Sequence, residues 1–113
     1  MAHIEITPAE GVWTVRTDDS VLAETRAALS LKEGSMAPVI YFPREDVAMA
    51  LLEPSDTSTT CPHKGRASYY SYAGPGGTVK DVAWSYEGEL KEDVAAIRGH
   101  LAFYPSRLAV EKI

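Results

Sequence analysis

The chain has 113 residues, 45% apolar and 24% charged, the balance of a single globular domain (1–113) with enough core to fold without metal or disulfide. Sixteen acids against eleven scattered bases give a net charge of −5, which speaks against a phosphate-binding face and so against a nucleic-acid polymer as partner. The lone cysteine excludes an internal disulfide, Met1 to Glu5 lacks the character of a signal peptide, and no apolar run approaches a membrane span, so the expectation is a cytoplasmic protein with no membrane partner.

Short strands separated by turn signals fill most of the chain. Val12 to Thr17 alternates, with Trp13 and Val15 on one face and Thr14 and Arg16 on the other, and Asp18-Asp19-Ser20 turns it. Val21 to Ala23 and Ala27 to Leu31 read as the arms of a hairpin around Glu24-Thr25-Arg26, with a helical turn as the alternative there. Val39 to Phe42 is a strand stopped by Pro43, whose fixed φ suits the start of one helical turn through Arg44-Glu45-Asp46. The next strand is expected from Val47, apolar on both faces and ended by Glu53-Pro54-Ser55-Asp56, with the polar run to Thr60 a loop leading into Cys61.

Gly65 to Ala73 and Thr78 to Tyr86 flank Gly74-Pro75-Gly76-Gly77, the clearest hairpin in the chain, with Val82, Trp84 and Tyr86 expected on one face. Val94, Ile97 and Arg98, closed by Gly99, predict a short helix. Leu101 to Tyr104 and Leu108 to Lys112 then read as a closing hairpin around Pro105-Ser106-Arg107. The fold class is all-β, a short-stranded antiparallel sandwich or half-open barrel with one or two short helical turns.

Cys61-Pro62-His63-Lys64-Gly65 followed by Ala67-Ser68-Tyr69-Tyr70 gathers a thiol, an imidazole, an amine and two phenols. Cys61 reads either as a nucleophilic thiolate favoured by Lys64 and His63 or as a small buried hydrophobe, and burial is the commoner fate of a free cysteine. Gly65 permits a positive φ or a close approach by a ligand. Tyr69 and Tyr70 face opposite ways on a strand, so one row of Tyr41, Tyr69, Trp84 and Tyr86 can wall a cleft with Lys64 and His63 at its rim. A metal site from Cys61, His63 and His100 falls short of the usual ligand sets, so none is expected, and the cofactor is unknown from the sequence. Walker-type, dinucleotide-binding, His-Glu-x-x-His and nucleophile-elbow motifs do not occur.

Taken together, Tyr41-Phe42-Pro43, Asp46-Val47, Leu52-Glu53-Pro54-Ser55, Cys61-Pro62-x-Lys64-Gly65-x-Ala67-x-Tyr69-Tyr70, Ala83-Trp84-x-Tyr86 and Ala102-Phe103-Tyr104-Pro105 resemble the small bacterial family known as domain of unknown function 427, from about Val39 to Val110. The resemblance implies a compact, mostly β domain. A nucleotidyltransferase label attached to that family implies a nucleotide and a divalent metal such as Mg²⁺, for which no carboxylate pair or phosphate cradle is visible as a motif. It carries over Tyr41, Asp46, Cys61, Lys64, Gly65, Tyr69, Trp84 and Tyr86 as site-or-core residues without catalytic roles, and His63 falls at its variable position.

The leading expectation is therefore a domain that binds a small polar or anionic metabolite through Tyr41, Lys64, Gly65, Tyr69, Trp84 and Tyr86. Whether it turns the ligand over is left open; if it does, Cys61 is the nucleophile, with His63 or Tyr69 moving the proton. The rivals are a nucleotidyltransferase-like enzyme and a non-catalytic structural or interaction module. A homodimer through an exposed edge strand is also expected.

Overall fold

A computed structural model describes residues 3–113; Met1 and Ala2, at the head of the stretch read for a targeting signal, lie outside it. In chain order its strands are β1 (Ile4–Pro8), β2 (Trp13–Arg16), β3 (Val21–Thr25), β4 (Leu29–Glu33), β5 (Val39–Phe42), β6 (Leu52–Cys61), β7 (Gly65–Gly74), β8 (Gly77–Tyr86), β9 (Leu101–Phe103) and β10 (Ala109–Lys112). They form two antiparallel sheets, one of seven strands in the order β1-β4-β5-β9-β8-β7-β6 and one of three in the order β10-β2-β3. Three short 3-10 turns, Arg44–Asp46, Met49–Leu51 and Glu92–Ile97, complete the described residues. No helix among them is long and apolar enough to cross a membrane.

Strand alternation divides the core in two. Phe42, Leu101, Phe103 and Ala83 face the small sheet and pack with Val15, Leu22 and Ala23. Their sequence neighbours Tyr41, Ala102 and Trp84 face the other way and pack with Leu31, Ala67, Tyr86 and Ile97. Glu92–Ile97 buries Val94 and Ile97, and Gly99 follows it with a φ of 77°. The large sheet thus has apolar side chains on both faces, one beneath the small sheet and one forming the concave surface described below.

Four expectations are corrected. Val21 to Leu31 is no hairpin: β3 pairs with β2 in the small sheet, whereas β4 pairs with β1 and β5 in the large one. Glu24-Thr25-Arg26 lacks the glycine or asparagine that a tight turn needs, and Thr25 instead pins a crossover, its hydroxyl donating to Asp46 at 2.7 Å and accepting from the Ala27 N–H at 2.9 Å. Val47 makes only an isolated bridge to Ala23, Met49–Leu51 is a 3-10 turn, and the strand begins at Leu52 and carries the polar run through to Cys61. Short apolar runs do not distinguish strand from helical turn, and a hydroxyl-rich strand with a proline and an irregular register at Pro54/Ser58 suits a sheet edge.

The third correction concerns the end of the chain. β9 inserts between β5 and β8, while β10 joins β2, so Tyr104 to Leu108 carries the chain from one sheet to the other. The fourth concerns Val82, which joins the cluster under the small sheet rather than sharing the face of Trp84 and Tyr86. Register slips between Tyr70/Ala83 and Tyr72/Val79, and Asp81 takes a φ of 53° inside that bulge, which breaks the alternation. β1, which was not foreseen, pairs along its whole length with β4.

Candidate functional site

Glu33 ends β4 and Lys64 lies in the turn between β6 and β7, so four strand spacings separate their strands. A flat sheet would hold β4 and β7 about 19 Å apart. Lys64 Nζ nevertheless donates to Glu33 Oε1 at 2.7 Å, because the sheet curls and the two side chains reach across its concave face. They are only 10% and 18% exposed, so the pair is screened far less than a surface one. Burial opposes the Lys64 charge most strongly, but the hydrogen bond to Glu33 and the charge attraction of Glu33 and the neighbouring acidic groups together outweigh it and hold the ammonium above the ordinary lysine range.

This clasp borders a cavity of about 190 Å³, lined also by Tyr41, Tyr69, Trp84, Tyr86 and Tyr104 and by apolar residues of β4, β5 and the turn between them. The indole N–H of Trp84 donates to the Tyr41 hydroxyl at 3.3 Å, and the two rings meet edge to face with centroids 6.4 Å apart. Tyr104 packs tilted against Trp84, centroid to centroid 4.6 Å. The Lys64 ammonium sits 6.0 Å from the Tyr86 ring centre, within cation–π range. The Tyr69 hydroxyl is 3.0 Å from Thr59 Oγ1 on the neighbouring strand.

Three of the phenols are held neutral. Burial, reinforced by the nearby Cys61 and Glu33, pushes Tyr41 up to about 12. Burial and the Tyr41 phenol push Tyr86 up to about 12 against the opposing pull of Lys64, and burial with a hydrogen bond to Tyr69 does the same to Tyr104. At neutral pH the cavity therefore offers aromatic surface, phenolic donors and one balanced ion pair.

Five of the residues singled out in the sequence, Tyr41, Lys64, Tyr69, Trp84 and Tyr86, come together around this cavity. Cys61, His63 and Gly65 do not line it. Cys61 is half-buried at the end of β6, opposite Gly65, and packs at the border of the outer cluster. His63 is half-buried in the turn. The Cys61–His63 pairing thus falls outside the cavity, since the tight turn that brings Lys64 in leaves those two side chains on its flank. Gly65 has a φ of 125°, and a Cβ there would come within 3.1 Å of the Leu90 side chain, so the close approach is made by a neighbouring loop.

Sequence reasoning missed Glu33, because β4 was ended at Leu31. The signal was present: Leu29, Leu31 and Glu33 alternate on one face. Asp46, carried over from the resemblance, serves Thr25 rather than the cavity. Tyr70, on the opposite face from Tyr69, donates to Glu87, which also pairs with Arg44. The Arg44 guanidinium lies 5.7 Å from the Tyr70 ring centre and donates to the Gly99 carbonyl at 3.1 Å, so this network fastens the Arg44–Asp46 turn to β7 and β8.

Among the described residues no group of three or more His, Cys, Asp and Glu converges to hold a metal ion. The donors do not fit the divalent ion that nucleotidyl transfer calls for. Residues 5–113 match the family model labelled NTP_transf_9 and described as domain of unknown function DUF427, and the chain belongs to that family. No curated protein matches it.

Proposed function

We propose that this member of the DUF427 family binds a small, planar, polar metabolite in the aromatic cavity of its curled sheet. The observation that carries the reading is the convergence of five aromatic side chains on about 190 Å³ of space beside the Lys64–Glu33 pair. That volume is close to the ~150 Å³ cavity known to accept benzene, so it suits a single ring. Glu33 already balances Lys64, so the ligand is polar rather than strongly anionic: an acceptor for the ammonium beside a donor for the carboxylate, as at the edge of an amide or a pyrimidine. Trp84 and Tyr69 supply the platform. Binding without covalent chemistry is the reading, since Cys61 stands off the cavity. The cytoplasmic setting and a homodimer belong to the same proposal, the dimer through an edge other than the polar, irregular β6.

Calorimetry against single-ring amides and pyrimidines tests it, with Trp84→Ala, Tyr69→Ala and the double variant Lys64→Gln/Glu33→Gln, which exchanges the ion pair for a neutral one. Losing a charge-assisted contact should weaken binding by about 1–3 kcal/mol in the double variant. Losing a stacked partner should cost about 0.5–1.5 kcal/mol beyond the lost contact area. No binding across the series, or affinities unchanged in all three variants, would overturn the proposal.

A further inference from the structure

A second cavity of about 580 Å³ also has Trp84 in its wall and is lined by residues of both sheets. Trp13, Ile40, Phe103 and Val110 give it apolar walls. The Trp13 indole N–H is satisfied by the Glu10 carbonyl at 3.2 Å, so its ring is free to act as apolar surface. Val39 and Trp84 line both cavities. They meet there because the β5–β9 ladder is only two residues long, Tyr41 with Ala102 and Phe42 with Leu101, so the sheet is unpaired at that seam where the chain continues to Val39 and Tyr104.

From this shared wall we propose that the ligand is amphipathic: a planar polar ring held beside the Lys64–Glu33 clasp, bearing a linear apolar arm that passes Val39 and Trp84 into the groove. The inference rests on the binding reading above and adds the class of molecule. The aromatic cavity by itself is too small for more than a ring, whereas cavity and groove together fall in the ~300–1,000 Å³ range usual for small-molecule sites. With Lys64 and Glu33 engaged by the ring, the room for a substituent is in the groove, where Trp13, Ile40, Phe103 and Val110 reward methylenes, while Glu10 and Lys112 also line it. Trp84 acts as the shared partition, stacking on the ring from one side and flanking the arm from the other.

The test uses benzamide, whose carbonyl and N–H match Lys64 and Glu33, and its 4-alkyl derivatives of increasing length, titrated into the whole protein by calorimetry or ligand-observed NMR. Affinity should rise by about fourfold for each methylene placed in the groove. Val110→Lys, on the edge strand β10, should flatten that rise while leaving benzamide itself unaffected. Ser30→Phe, which fills the groove from β4, should do the same and stands in if the first variant does not fold. Benzamide binding with no gain from the arm, or a rise that survives both groove variants, would overturn the amphipathic ligand and leave the ring site standing. Failure of benzamide and every derivative to bind would overturn the amphipathic ligand, and failure of the pyrimidines as well would overturn the ring site too.

Discussion

Asp81 holds its backbone at a φ of 53°, the left-handed region that aspartate, asparagine and glycine tolerate best. One carboxylate oxygen accepts from the Thr57 hydroxyl at 2.7 Å, which ties the bulge of β8 to β6 across the hairpin, while the other is buried without a partner. Burial works to raise its pKa, but hydrogen bonds from Ser55 and Thr57 outweigh it and hold the carboxyl below the usual range. The stability this contributes is present above the ordinary carboxylate pKa and is lost as pH falls through the lowered one. Asp81→Ala should cost about 1–3 kcal/mol in urea unfolding, combining left-handed strain with a lost hydrogen bond, and Asp81→Gly should cost less because it removes the strain. Equal losses in the two would show that backbone conformation contributes nothing there. In the sequence Asp81 falls within the expected strand Thr78 to Tyr86 without a mark of its own; only the register with β7 reveals that it resets the alternation and sends Val82 to the opposite face.

At the scale of elements, the β7–β8 hairpin was the most legible feature, because Gly74-Pro75-Gly76-Gly77 admits little but a turn. What it leans on was not legible. The Tyr72 ring lies across Gly74, where a Cβ would come within 2.5 Å of ring carbon, and its hydroxyl donates to Asp19 at 2.7 Å and sits 2.9 Å from Ser20 Oγ. The hydrogen bond from Tyr72, with others from Thr17 and Ser20, keeps Asp19 below its usual pKa. The hairpin is thereby tied to the β2–β3 turn of the other sheet. Gly74→Ala should force the ring away and cost about 1–3 kcal/mol, read as a lower denaturation midpoint with an unchanged denaturant slope. A wild-type midpoint would mean that the ring has room to move. The two hairpins that sequence reading placed elsewhere failed for a shared reason: Glu24-Thr25-Arg26 and Pro105-Ser106-Arg107 are polar enough to turn, but polarity does not say whether the chain folds back or changes sheet.

Across the whole molecule, the curl of the large sheet gathers Tyr41, Tyr86 and Tyr104 into one desolvated wall, each with a pKa near 12 against an ordinary value of 10.0. A raised phenol pKa means that the folded state holds the proton more tightly than the unfolded chain does. The associated stability is intact below pH 10 and is lost as pH climbs towards about 12. Denaturation midpoints should fall across that window, and Tyr41→Phe should make the fall shallower. If absorbance titration of the folded protein showed all six tyrosines ionising together near the ordinary value, the desolvated wall would be refuted.

The all-β class, most of the strands, the central hairpin and five of the residues around the cavity are legible in the chain, because alternation, turn-forming residues and local residue chemistry act over a few positions. Tertiary structure alone decided which sheet each strand joins, that Glu33 meets Lys64 across four strand spacings, and that Cys61 and His63 stay outside. Those outcomes depend on sheet curvature and on pairing between segments far apart in the chain, and no local pattern of residues encodes either.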